Sequence, residues 1–167
     1  MGVAGTGKTT VGRLLADALS LPYAEGDAFH PPANVAKMSA GTPLDDEDRR
    51  PWLDAIGEWI RNSAGRSGGV VAASSLKRAY RDRLRAAAPR TVFVHLTGER
   101  ALIEERMAAR KGHYMPTTLL DSQFATLEQL QPDEPGVVVD VSGSPQDITQ
   151  RALAALRRLP VPDHHEN

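Results

Sequence analysis

A short glycine-rich segment near the start of the chain carries the residues best suited to chemistry. Residues 2–9 read GVAGTGKT, which matches the pattern G-x-x-x-x-G-K-[ST] of a phosphate-binding loop. Glycines at these positions let backbone N–H groups approach phosphate oxygens, and the lysine adds a compact positive charge. The pattern therefore predicts that this segment binds the phosphates of a nucleotide.

The same segment predicts a site for ATP with a bound magnesium ion. We expect Lys8 to reach the β- and γ-phosphates and to act in catalysis, and the Thr9 hydroxyl to hold Mg²⁺. A helix that begins here would point the positive end of its dipole toward the phosphates. The residues predicted to contact the nucleotide in this segment are Gly2, Gly5, Thr6, Gly7, Lys8, Thr9 and Thr10.

Kinases, GTPases and motor ATPases all use such loops, so other residues must distinguish these classes. The chain lacks the N-K-x-D motif that reads guanine, and its D-x-x-G matches at residues 54–57 and 133–136 follow no predicted strand. The predicted strand ending at Ala73 precedes two serines, where a motor ATPase carries acidic residues. A small-molecule kinase remains, with Asp27 facing the acceptor hydroxyl as general base.

Short apolar runs alternate with longer amphipathic segments, a pattern typical of α/β proteins. We predict strands over residues 21–25, 68–73, 91–96 and 137–141, and helices over 11–19, 45–63, 76–88, 99–110, 117–130 and 145–159. Strands that alternate with helices form parallel sheets covered on both faces. The prediction is a P-loop NTPase three-layer sandwich, one domain over residues 1–159, followed by a loose tail over 160–167.

The phosphate-binding loop should follow the central strand of this sheet, yet only Met1 precedes it. We expect a native form to carry roughly 5–10 further N-terminal residues rich in Val or Ile. The alternative is a sheet without its middle strand, which would leave a hydrophobic slot between two unpaired strand edges.

Composition excludes several classes of partner and site. The chain has 20 Lys and Arg against 21 Asp and Glu, so no overall positive field attracts nucleic acid or an anionic membrane. It has no cysteine, which excludes disulfides, thiolate metal sites and cysteine nucleophiles and fits a cytoplasmic location. No apolar run approaches the roughly 20 residues of a membrane span.

Several further segments resemble the gluconokinase family. They are GDAFHPPANVAKMSAGTPLDDEDRRPWL at residues 26–53, SSLKRAYR at 74–81, RKGHY at 110–114 and LDSQFATLE at 120–128. The resemblance extends from residue 2 to about residue 159, and the long segment after Asp27 is its most specific part. It implies that the protein phosphorylates D-gluconate with ATP at the 6-hydroxyl, giving 6-phospho-D-gluconate and ADP.

The resemblance also implies roles for individual residues. Gluconate is a polyol with a carboxylate, which calls for cationic and hydrogen-bonding groups. The substrate-binding candidates are Asp27, His30, Arg49, Lys77, Arg78, Arg81 and His113. A mobile lid is expected at about residues 106–118, with Arg106 and Arg110 as nucleotide contacts.

Two alternatives stay open at this point. One is a kinase of the same fold that acts on another small hydroxy acid, such as shikimate, or on a nucleoside monophosphate. The other is a nucleotide-binding module without catalytic activity. The resemblance also suggests a homodimer.

Overall fold

The computed structural model describes residues 1–110 and 117–160, in which strands and helices alternate along the chain. The strands are β1 (Tyr23–Glu25), β2 (Val70–Ala72), β3 (Phe93–Thr97) and β4 (Gly136–Asp140). The helices are α1 (Lys8–Leu19), α2 (Pro32–Ser39), α3 (Asp46–Ala64), α4 (Arg78–Ala87), α5 (Arg100–Ala108), α6 (Thr117–Thr126) and α7 (Pro145–Leu156).

Every predicted strand and helix is present, with most bounds shorter by a few residues. Helix α3 starts where the sequence predicts, because the Asp45 side chain accepts the Asp48 N–H while the Asp48 carboxylate accepts the Asp45 N–H. Pro51 lies inside α3. A 3-10 turn over Gly26–Phe29 and helix α2 are additional elements that follow β1.

The four strands form two parallel pairs, β1 with β2 and β3 with β4. The first two residues of the chain lie between the pairs. The Met1 amino group donates to the Val94 carbonyl at 2.6 Å, the Leu96 N–H donates to the Met1 carbonyl, and the Gly2 N–H donates to the Ser74 carbonyl at 3.1 Å. Met1 and Gly2 thus lie between the two strand pairs, where the phosphate-binding loop begins.

A cavity of about 750 Å³ continues from Met1 between the two strand pairs. Its walls include Val71 and Ala73 on the β2 side and Phe93 and Val94 on the β3 side. The parallel α/β arrangement is as predicted, and within residues 1–110 and 117–160 the strands form two parallel pairs, because the central position holds only the first residues of the chain. This matches the alternative of a sheet without its middle strand. The predicted upstream strand stays a prediction.

Helices cover both faces of the strands, as the three-layer prediction requires. One apolar cluster joins α1 and α7 to β3 and β4, and a second joins α3 and α4 to β2 and β3. The first cluster centres on Val11, Leu15, Leu96, Val141 and Ala152, and the second on Trp52, Ile56, Tyr80, Leu84 and Phe93. These two layers hold the carboxyl ends of the strands in place around the loops described next. Within the described ranges, no helix is long and apolar enough to cross a membrane.

Candidate active site

The phosphate-binding loop has an open, left-handed backbone that its glycines make possible. Gly5 and Gly7 have φ angles of +82° and +87°, a region that side chains with a Cβ rarely adopt. A Cβ at Gly5 would lie 2.6 Å from the Met107 side chain, whereas the space around Gly7 is empty. The loop is therefore packed on its α5 side and open on the side where phosphates would bind.

Lys8, the first residue of α1, lies half-buried at the base of this loop. Its ammonium group donates to the Val3 carbonyl at 2.9 Å. Burial lowers the pKa of Lys8 to about 8, while the carboxylates of Asp27 and Glu25 raise it and the charge of Arg110 lowers it. The four charged groups thus share one electrostatic environment around the loop.

Thr9 contacts a carboxylate that the sequence analysis missed. The Thr9 hydroxyl donates to Glu25 Oε2 at 2.8 Å, and the Tyr23 hydroxyl donates to the same oxygen at 2.7 Å. Glu25 is the last residue of β1, two positions before Asp27. The available signal was a second acidic residue at the carboxyl end of a strand, beside the predicted general base.

This arrangement fits a magnesium ion held mainly by phosphates and water. The chemistry requires an oxygen donor beside the phosphate cradle, and Thr9 with Glu25 supplies a hydroxyl and a carboxylate. In the part of the chain that the structure describes, no three His, Asp or Glu side chains cluster to form a cage of protein ligands. Mg²⁺ commonly binds through few protein ligands in nucleotide sites, so the residues present fit it.

Asp27 lies in the 3-10 turn directly after β1, with its side chain exposed toward the loop. The turn can approach β2 closely because Gly26 has no side chain: a Cβ there would lie 2.5 Å from the Ala72 carbonyl oxygen. The charge of Asp27 acts on both Lys8 and His30. Its carboxylate is thus close enough to both Lys8 and His30 to influence each of them.

His30 contacts two neighbouring side chains, Trp52 and Asn34. Its ring stacks on Trp52 with centroids 4.6 Å apart and lies 3.3 Å from the Asn34 amide nitrogen through Nδ1. Burial lowers the pKa of His30, the charge of Asp27 raises it, and the charge of Arg49 lowers it. Both the predicted general base and a predicted substrate-binding arginine therefore act electrostatically on His30.

A polar pocket of about 460 Å³ opens beyond His30, at the start of α3. Lys77 donates to Asp46 at 3.0 Å, and the Tyr80 hydroxyl donates to the same carboxylate oxygen. The Arg49 guanidinium lies 5.6 Å from the centre of the Tyr80 ring, and its buried Nε has no partner among the described residues. The pocket joins two predicted cations with Asp46 and Tyr80, which the sequence analysis did not assign to the site.

Two of the predicted substrate ligands lie elsewhere. Arg81 is buried in the interior, where its guanidinium binds Glu134 at 2.6 and 2.9 Å and also donates to backbone carbonyls. Arg78 lies on the other side of α4 and pairs with Asp133 and Asp82. Neither side chain lines the pocket beside Arg49, so these contacts favour a structural role for Arg81, and the substrate role of both residues stays a prediction.

The nucleotide candidates beyond the phosphate-binding loop are only partly described. Arg106 donates to the Gly143 carbonyl at 3.2 Å, which places it beside the loop that follows β4. Arg110 acts electrostatically on Lys8, as noted above. Thr6 is buried and donates to the Val3 carbonyl, whereas Thr10 is exposed. His113 and the middle of the predicted lid, residues 111–116, lie outside the described residues.

Comparison with known proteins gives one consistent result. A family model described as shikimate kinase matches residues 4–156. Gluconokinase from Gluconobacter oxydans (strain 621H) is 50% identical over 145 residues, covering 86% of this chain and 80% of that protein. The thermosensitive gluconokinase of Escherichia coli (strain K12) is 41% identical over 162 residues, covering 93% and 84%.

Solved structures give the same picture. A crystal structure of a gluconokinase from Sinorhizobium meliloti 1021 matches with a TM-score of 0.86 and 49% identity, covering 95% of this chain and 89% of that one. The likeness therefore extends over most of each protein rather than over the phosphate-binding loop alone.

Proposed function

The chain belongs to the gluconokinase family, with the shikimate kinase-like P-loop fold, and we propose from this premise that it phosphorylates D-gluconate. The reaction transfers the γ-phosphoryl group of ATP to the 6-hydroxyl and gives 6-phospho-D-gluconate and ADP. The observation that carries the proposal is the pocket of about 460 Å³ that Arg49 and Lys77 line, in a chain that also has a phosphate-binding loop with Lys8 at its base. Asp27 acts electrostatically on both Lys8 and His30, and Arg49 also acts on His30, which relates the two regions.

The nucleotide half of the reaction rests on the loop and the start of α1. Gly5 and Gly7 expose backbone N–H groups to the phosphates, and Lys8 moves from the Val3 carbonyl to the β- and γ-phosphates. Bound Mg²⁺ neutralises charge on these phosphates, and Thr9 is the residue that would hold it, with Glu25 beside it. Arg106 and Arg110 supply positive charge on the remaining side of the nucleotide.

The chemical step requires a hydroxyl aligned with the γ-phosphorus more than it requires covalent catalysis. Asp27 orients the 6-hydroxyl and accepts its proton as the new O–P bond forms and the bond to the β-phosphate oxygen breaks. Lys8 stabilises the negative charge that develops on the transferred group and on ADP. Asp27 follows the carboxyl end of β1, the end of a strand at which open α/β folds bind ligands, and Lys8 is the first residue of α1.

The acceptor half rests on the pocket beside α3. Arg49 and Lys77 bind the gluconate carboxylate, which places the opposite end of the chain of hydroxyls toward Asp27. Tyr80 and Asp46 form hydrogen bonds with the hydroxyls of gluconate between its carboxylate and its 6-hydroxyl. His30 contributes at the boundary between the two halves. The resemblance also implies a substrate role for His113 and a homodimer, and both remain proposals. Light scattering in solution tests the homodimer.

The test is release of ADP from Mg²⁺-ATP in the presence of D-gluconate, shikimate, AMP or no acceptor. We expect release above background only with D-gluconate. Release with shikimate or AMP instead would assign another acceptor to the same fold. Measurable ATP binding with no acceptor-dependent release would favour a module that binds nucleotide without catalysis.

A further inference from the structure

Helix α6 contacts the phosphate-binding loop through one polar side chain, Gln123. The Oε1 atom of Gln123 accepts the Ala4 N–H at 2.6 Å, across 119 residues of sequence. A backbone N–H can only donate, so the acceptor must be the oxygen of the side-chain amide. Neither Gln123 nor Ala4 belongs to the residues that the pattern of the loop identifies.

The hydrogen bond to Gln123 holds the same peptide group to which Lys8 donates a hydrogen bond. The Ala4 N–H and the Val3 carbonyl belong to the same planar peptide. The Val3 carbonyl accepts the Thr6 hydroxyl and the Lys8 ammonium group, each at 2.9 Å. One peptide is therefore fixed at its carbonyl by two residues of the loop and at its N–H by Gln123.

Packing keeps Gln123 beside the loop. The neighbouring residues of α6, Leu120 and Phe124, pack in a small apolar cluster that also contains Val3 and Ile103. The glycine at position 5 lies directly against α5, as described above. Because α6 is anchored on both sides of Gln123, its side-chain amide has a defined position relative to the Val3–Ala4 peptide.

We propose that Gln123 is a positioning residue of the nucleotide site, which fixes the orientation of the Val3–Ala4 peptide. When Lys8 leaves the Val3 carbonyl to reach a phosphate, that carbonyl loses one of its two donors. Gln123 then holds the peptide together with Thr6, and the cradle keeps its shape. The inference rests on the nucleotide half of the proposed function and does not involve the acceptor pocket.

The test compares Gln123→Met, which removes the acceptor but keeps the side-chain length, with Gln150→Met on the exposed face of α7. Binding of ADP with Mg²⁺ is measured by calorimetry. Because one hydrogen bond is lost, we expect ADP binding to be roughly 3- to 10-fold weaker in Gln123→Met. We expect no weakening in Gln150→Met. Unchanged ADP affinity in Gln123→Met overturns the inference. Absence of ADP binding by the unaltered protein would instead contradict the proposed nucleotide site.

Hydrogen exchange at the Ala4 amide separates positioning from a general loss of stability. Measured by NMR without nucleotide, the Ala4 N–H should exchange faster in Gln123→Met than in the unaltered protein. Gln123→Glu keeps an acceptor oxygen, so this variant should retain slow exchange. Equal exchange rates at Ala4 in both variants and the unaltered protein would overturn the inference, whatever their ADP affinities.

Discussion

Arg81 and Glu134 form an ion pair whose two side chains are completely buried, with bonds of 2.6 and 2.9 Å between guanidinium and carboxylate. Arg81 also donates to the carbonyls of Ser75 and Leu76 and to that of Glu128. The pair therefore fastens the segment after β2 to the segment that leads into β4. Lys77, which lines the acceptor pocket, lies within the first of these segments.

We predict that Arg81→Ala lowers the free energy of unfolding by about 3–5 kcal/mol, because it leaves the carboxylate of Glu134 buried without a partner. Arg83→Ala is the matched control, since Arg83 pairs with Asp54 on the surface of the same region. Its expected cost is about 0–1 kcal/mol. Urea denaturation followed by circular dichroism measures both. Equal effects of the two substitutions would contradict the structural role given to Arg81.

Arg49 is predicted to recognise the acceptor rather than the nucleotide. Loss of a charge-assisted hydrogen bond predicts that Arg49→Ala raises the KM for gluconate by about 10- to 100-fold. The KM for ATP should change little. Arg50→Ala is the control, because Arg50 is exposed and pairs with Glu47 on the surface. Steady-state kinetics with each substrate varied in turn gives both constants, and equal changes in the two KM values would argue against this role.

The lowered pKa of Lys8 predicts a pH dependence. Because this pKa is about 8, Lys8 keeps its proton below that pH and loses it as the pH rises further. The protonated form is the one that binds phosphates, so kcat/KM for ATP should fall about tenfold per pH unit above pH 8. Lys8→Arg stays charged throughout this range and should show a lower but flatter profile. A constant kcat/KM to pH 10 in the unaltered protein would contradict the assignment.

The cavity between β2 and β3 predicts a gain in stability when it is filled. A chain carrying about six alternating apolar residues ahead of Met1 can extend the central position of the sheet into this space. Each Val buried there should add roughly 1.5–3 kcal/mol to the free energy of unfolding. A chain extended by the same number of Gly and Ser residues is the control. No difference between the two extended chains in urea denaturation would refute this use of the cavity.

Local sequence signals predicted much of this molecule. The loop pattern predicted the roles of Lys8 and Thr9, and the predicted helix over residues 45–63 begins at the residue that caps α3. Residues that act through distant partners were harder to assign. Arg49 and Arg81 both come from segments that resemble the same family, yet one faces the pocket and the other pairs with a residue 53 positions away. That difference depends on packing between segments, which local periodicity does not contain.

The sequence left two arrangements of the sheet open, because only Met1 precedes the phosphate-binding loop. The structure has the arrangement without a middle strand, in which β2 and β3 are not paired. Glu25 was missed because its role depends on the Thr9 hydroxyl, which only the folded chain brings to 2.8 Å from its carboxylate.

The most direct test of the proposed reaction identifies its product and the residue that activates the acceptor. Phosphorus NMR of a reaction with Mg²⁺-ATP and D-gluconate should show a phosphomonoester coupled to the two protons of carbon 6. Asp27→Asn should bind ATP normally but form this product roughly 10²- to 10⁴-fold more slowly, because the hydroxyl loses its general base. A product phosphorylated at another position, or an unchanged rate in Asp27→Asn, would contradict the account.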